Sequence, residues 1–189
     1  MIFDVRYEIV AYFSNKSNVH TLCKGGFAWE SPMGNSEHYT ASIEVSASPE
    51  ASFEAVAKQM NRWWTETVEG GLNRIGDTVT AIFPPDFGHW TFEAKVVDRY
   101  SVLEMVCIDA HHRVEGQPVE IDREWLGTRI VWRFAADGKK TRITLTHIGL
   151  TPQLKCWDIC LDGWSFFFKE SLKSFLNGEA ATPHKAVTP

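Results

Sequence analysis

Apolar residues recur along this chain in two rhythms, and the places where the rhythm changes mark its elements. In YTASIEVSA, Ala41, Ile43 and Val45 alternate with Ser42, Glu44 and Ser46, the period-two pattern of a strand with one buried face. Ser48-Pro49-Glu50 then reads as a helix start, with Ser48 as cap, Pro49 at the first position and an acid in the first turn. Phe53, Val56, Ala57, Met60 and Trp64 follow at helical spacing. Gly70-Gly71 breaks the chain, and strand-like runs come after it: TVTAIF, HWTFEAKVV, SVLEMVCID, then GTRIVWRF and TRITLTHI on either side of Asp137-Gly138. Within them Phe92, Ala94 and Val96, Leu103, Met105 and Cys107, Ile130, Trp132 and Phe134, and Ile143, Leu145 and His147 share the inward parity.

From Thr151 to Gly178 the rhythm is helical again. Thr151 suits the cap, Pro152 the first position and Gly178 the left-handed close, while Trp157, Cys160, Leu161, Trp164, Phe168, Leu172 and Phe175 form a broad apolar stripe. Such a helix would be roughly 40 Å long at about 1.5 Å per residue and must lie against something large. One helix, five or six antiparallel strands and one long helix predict an α+β domain whose sheet packs on the C-terminal helix. Gly163 in mid-helix removes volume and is consistent with a cavity between the two.

The N-terminal stretch follows another pattern. Phe3, Val5, Tyr7, Ile9, Ala11 and Phe13 alternate with Asp4, Arg6 and Glu8, and all periodicity is lost from Ser14 to Gly34. It reads either as an added edge strand or dimer element, or as an extension (residues 1–38) outside a domain of residues 39–178, with Met33 as the true start. Residues 179–189 read as a flexible tail.

Composition narrows the class. The 189 residues are 44% hydrophobic and 23% charged, as in a soluble single-domain protein. A net charge of −5 and a pI near 5.8 argue against nucleic acid or an anionic membrane surface as partner. The charges in the N-terminal stretch exclude a signal peptide or membrane span there. Four scattered cysteines, Cys23, Cys107, Cys156 and Cys160, do not make a disulfide framework and point to a reducing cytoplasm.

Candidate chemistry is sparse. Asp109, His111 and His112 have metal-ligating side chains but sit at a strand end before a polar loop, where surface residues are the plainer reading. Cys156, Cys160 and His147 lack a fourth ligand and the spacing of a zinc knuckle, so no metal or cofactor is expected. His147 faces inward among apolar neighbours, either as a hydrogen-bonded core histidine or as the polar anchor or general base of a cavity. Trp64, Phe83, Trp90, Trp132, Trp164 and Phe168, with Met105 on the sheet, carry the same double reading of core or pocket wall.

The stretches IEVSASPEASFEAV, WLGTRIVWRF, TRITLTHIGL and DGWSFFFKESLKSFLNG, in that order over roughly Tyr39 to Gly178, resemble the START-like (SRPBCC) superfamily, and within it the branch related to the C-terminal domain of the activator of the Hsp90 ATPase. The resemblance implies the helix-grip (Bet v 1/START-like) fold, a seven-stranded antiparallel sheet around a long C-terminal helix. It also implies three kinds of function: binding of a small hydrophobic molecule, a cyclase or hydratase reaction in the same cavity, or a chaperone-linked interaction module. The last, in the family, uses an additional N-terminal domain that the residues before Tyr39 are too few to supply. Ligand binding, which needs only the cavity, is the favoured expectation. A second copy of the chain is a further candidate partner, through the N-terminal strand. A chain beginning at Met33 is expected to keep the melting temperature and oligomeric state of the full chain. Loss of soluble expression, or dissociation of a dimer, would show that Phe3 to Phe13 is a working strand.

Overall fold

The computed structural model describes residues 38–185, so the alternating stretch Phe3 to Phe13 and the loop after it lie outside the described residues. Strand β1 is Tyr39–Val45 and helix α1 is Pro49–Lys58. Ser48 caps α1 as its sequence predicts, its Oγ accepting from the Ala51 N–H at 3.1 Å. Six strands follow: β2 Thr67–Gly70, β3 Thr78–Phe83, β4 Gly88–Asp98, β5 Val102–His112, β6 Arg129–Asp137 and β7 Lys140–Ile148. They make one antiparallel sheet in the order β1-β7-β6-β5-β4-β3-β2. Edge strand β2 is four residues long and only partly covered, too short for a period-two signal to register in the sequence. Among the described residues no helix is long and apolar enough to cross a membrane.

The C-terminal helix, α2, begins later than the sequence suggests. Thr151 and Pro152 lead into consecutive turns, and the helix runs from Trp157 to Leu176, about 30 Å rather than 40 Å. Cys156, at the cap position, makes no side-chain cap bond. A carboxylate from another element does that work: Glu124 accepts from the backbone N–H groups of Lys155 at 2.9 Å and Cys156 at 2.7 Å. A negative charge on free N–H groups at a helix N-terminus is favourable both as hydrogen bonding and against the helix dipole. This tertiary cap fixes the start of α2.

The middle of α2, Ser165–Leu172, is π-helical, and its residues explain why. The buried apolar positions on α2 are Cys160, Trp164, Phe168, Leu172 and Leu176, every fourth residue for four steps. In a straight α-helix a four-residue step overshoots one turn by about 40°, so this row would wind off the sheet. The wider i→i+5 turn rotates the chain less per residue and brings the row back. At Gly163, by contrast, a Cβ would meet nothing within 4 Å.

Residues after Gly178, expected to trail from the domain, return to it as far as Lys185. The Thr182 N–H donates to Ser171 Oγ, and the His184 backbone exchanges hydrogen bonds with Trp64 and Glu66. The buried His184 ring donates through Nε2 to the Pro84 carbonyl and lies against Phe83 and Phe87.

Two substitutions on α2 should move stability in opposite directions. Phe168→Ala removes a fully buried ring and is expected to cost roughly 3–5 kcal/mol. Gly163→Ala adds a methyl into open space and should gain about 0.5–1 kcal/mol from helix propensity. Urea unfolding of both variants checks the orientation of α2, and a neutral Phe168→Ala would show it to be wrong.

Candidate functional site

Eight side chains stand out in the sequence as pocket or core: Trp64, Phe83, Trp90, Met105, Trp132, His147, Trp164 and Phe168. All eight are buried. Met105 lies on β5 between Ala94 of β4 and Ile130 of β6. The other seven join in one aromatic network. Trp164 stacks on Trp64 at 5.6 Å and meets Trp132 edge-on at 6.1 Å, and Trp132 meets Phe168 at 5.6 Å. Phe83 bridges Trp64 at 5.9 Å and Trp90 at 5.3 Å. These are direct ring contacts.

His147 is held at both ring nitrogens. Thr128 Oγ1 donates to the Trp125 carbonyl at 2.7 Å, so it accepts from His147 Nε2–H at 2.9 Å. That leaves the Nδ1 lone pair to accept from Trp164 Nε1–H at 3.2 Å. The network assigns the neutral Nε2–H tautomer. Burial, with a smaller contribution from nearby His38, pushes the imidazole pKa from 6.5 down to about 3.

Trp125 is the residue that sequence reasoning misses. It comes from the loop between β5 and β6, where no periodicity marks it, yet it stacks on Trp164 at 5.8 Å and touches His147 and Trp90. Its indole N–H donates to Cys160 Sγ at 3.2 Å. Burial, together with the neighbouring Cys156, raises the Cys160 thiol pKa well above its ordinary value, so it packs as a protonated thiol.

His112 is the second residue missed as an inward one. Parity from Leu103, Met105 and Cys107 would point it outward. A β-bulge intervenes: Phe92 pairs with Cys107 but Thr91 with Asp109, so Ile108 is skipped and the strand changes phase. Beyond the bulge Ala110 and His112 are buried, and Asp109 and His111 move to the outer face. Gly88 permits the close approach at this end of β4, because a Cβ there, at φ +120°, would lie 1.7 Å from the His111 carbonyl oxygen. The His112 ring meets Trp90 at 5.1 Å. Burial lowers its pKa to about 4, partly opposed by Glu124 and Asp122.

Polar satisfaction separates these residues. His147 has two partners, whereas Trp90 Nε1, Trp132 Nε1 and His112 Nδ1 are buried without any. His112 also lines an open cleft of about 460 Å³, with Asp86, Val114, Pro118, Val119 and Ile121.

No family model and no curated protein matches the chain. Solved structures do match. The Aha1 dimer from Colwellia psychrerythraea is 21% identical, with 74% of this chain and 96% of that chain covered, at a TM-score of 0.58. Protein SSP2350 from Staphylococcus saprophyticus is 16% identical over 78% and 98%, at 0.58. DynU16, a putative protein in the dynemicin biosynthetic locus, is 13% identical over 80% of this chain and 52% of that one, at 0.57. The fold is the helix grip. At these identities the likeness is one of architecture: the antiparallel sheet and the long C-terminal helix packed on it.

In this helix grip the Trp164–His147 contact joins α2 to β7, and the burial it requires of His147 has a consequence for acid stability. The unfolded chain, where imidazole titrates near 6.5, takes a proton that the folded His147 refuses down to about pH 3. Its contribution is therefore complete above about pH 6.5 and is lost as pH falls through that window, at up to about 1.4 kcal/mol per pH unit. His147→Gln should be less stable than wild type at pH 7 but flatter in urea midpoint between pH 6.5 and 4. An unchanged slope would mean that His147 is not buried as a neutral ring.

Proposed function

We propose that the protein binds a small, largely apolar molecule carrying a hydrogen-bond acceptor, at the Trp90–His112 end of the sheet's inner face, entered from the cleft between the β3–β4 turn and the β5–β6 loop. The observation that carries this reading is the pair of buried, unpartnered ring nitrogens, Trp90 Nε1 and His112 Nδ1, on touching rings beside an open cleft. A buried donor without an acceptor costs about 1–3 kcal/mol, and a ligand oxygen placed between the rings would recover it. Behind these rings the aromatic network runs from Trp90 through Phe83 to Trp64 and Trp164, with Trp132, Phe168, Met105 and His147 completing the proposed wall. A mostly apolar site with a few placed polar groups is the usual make-up of a small-molecule pocket. His147 serves this site as a fixed wall, since its two nitrogens are committed inside the protein.

A matched pair of probes tests the reading. 2-Acetylnaphthalene offers a carbonyl acceptor, and 2-ethylnaphthalene has nearly the same shape without it. Titrations followed by tryptophan fluorescence and melting temperature should show the ketone binding roughly fivefold to tenfold more tightly, the worth of one hydrogen bond. Trp90→Phe should erase that preference while leaving the hydrocarbon's affinity nearly unchanged. The reading fails if neither probe binds up to its solubility, or if the preference for the ketone survives in both Trp90→Phe and His112→Phe.

A further inference from the structure

The bulge that turns His112 inward places Asp109 and His111 on the outer face of the sheet, and pairing across the hairpin sets His89 of β4 directly opposite His111. The three side chains are half-buried. One ligand atom from each lies within 4.8 Å of the other two, and among the described residues no other set of three His, Cys, Asp or Glu side chains gathers in this way. His89 Nε2 is 3.0 Å from Asp109 Oδ2, and the two imidazole rings are 4.8 Å apart.

From this geometry we infer a divalent transition-metal site, of the kind that takes zinc, formed by His89, Asp109 and His111. The donor set is two imidazoles and one carboxylate, which suits borderline ions such as Zn²⁺, Co²⁺ and Ni²⁺ rather than the oxygen-seeking Mg²⁺ or Ca²⁺. Ligand atoms about 2.0–2.1 Å from a shared ion sit roughly 3–3.5 Å from one another, so the His89–Asp109 separation is already that of two ligands on one cation. Closing the third onto the same ion means shortening separations of at most 4.8 Å by side-chain movement on the outer face of the sheet.

Surrounding groups hold the ligands as partners of metal-bound side chains do. His111 Nδ1 is 3.3 Å from Asp122 Oδ1, which leaves Nε2 for a cation, the carboxylate–histidine arrangement that orients metal-binding imidazoles. Asp109 uses its other oxygen, Oδ1, to accept from the Arg123 guanidinium at 3.0 Å, which fixes the carboxylate plane. Three protein ligands leave at least one coordination position for water or an external group, as open rather than purely structural sites do. The site lies on the solvent side of the sheet, across from Trp90 and His112, and stands independently of the ligand reading proposed for the interior.

Calorimetric titration of the tag-free full chain with Zn²⁺ tests the inference, with melting temperature and the visible spectrum of the Co²⁺ form as second readouts. The expected result is one equivalent bound, a raised melting temperature, and Co²⁺ bands without thiolate charge transfer. His89→Gln and His111→Gln should each weaken binding at least tenfold, and the double variant should abolish it with an unchanged far-ultraviolet circular dichroism spectrum. Asp109→Asn supplies a third variant should a histidine change disturb the hairpin. Absence of Zn²⁺ binding by the wild type, Zn²⁺ affinity that survives in the double variant, or thiolate bands in the Co²⁺ spectrum would each overturn the assignment.

Discussion

Trp164 seats the C-terminal helix on the sheet. Its indole N–H donates to His147 on β7, His147 donates to Thr128 just before β6, and Thr128 donates to the carbonyl of Trp125 in the same loop. Its ring face stacks between Trp64 and Trp125, and its edge meets Trp132. One side chain thus ties α2 to two strands, a loop and the segment after α1. A polar chain of this kind in an apolar interior is costly when half satisfied and specific when complete, because each donor has one acceptor it can reach. The position of α2 along its own axis follows from that pairing.

The row of α2 residues that must face the sheet therefore has to pass through Trp164 and stay on it. Stepping by fours from Cys160 to Leu176 demands more residues per turn than an α-helix has, and the π-helical stretch supplies them. The start of the helix is under a similar outside constraint. Glu124 reaches it from the same loop that carries Trp125, so one loop both stacks on the helix and caps it. The loop is short of regular structure but strongly tied by these contacts.

A core built from so many indoles has an unavoidable polar residue, one N–H per ring. Trp63, Trp125 and Trp164 place theirs on the Ala55 carbonyl, the Cys160 sulfur and the His147 nitrogen. Trp90 and Trp132 do not. Trp132 is unpartnered although its ring meets Trp164, and the Trp90 ring lies beside His112, which lines the cleft.

The residue pattern by itself determined the fold class, the α1 cap at Ser48, the strand order in sequence and the inward set of Trp132, His147, Trp164 and Phe168, because period two and period 3.6 follow from local backbone geometry. Tertiary structure decided the rest. Thr151 and Pro152 form a good local helix start, yet a carboxylate some thirty residues away in sequence captures the N–H groups of Lys155 and Cys156 instead. Strand β2 exists because β3 offers it a pairing edge, not because four residues carry a pattern. The skipped Ile108 is the largest such effect. No residue type announces the bulge, and period-two parity inverts past it, so His112 turns into the core while Asp109 and His111 turn out toward His89. A strand fixes which residues share a face only up to its first irregularity, and that irregularity is set by the register of the neighbouring strand.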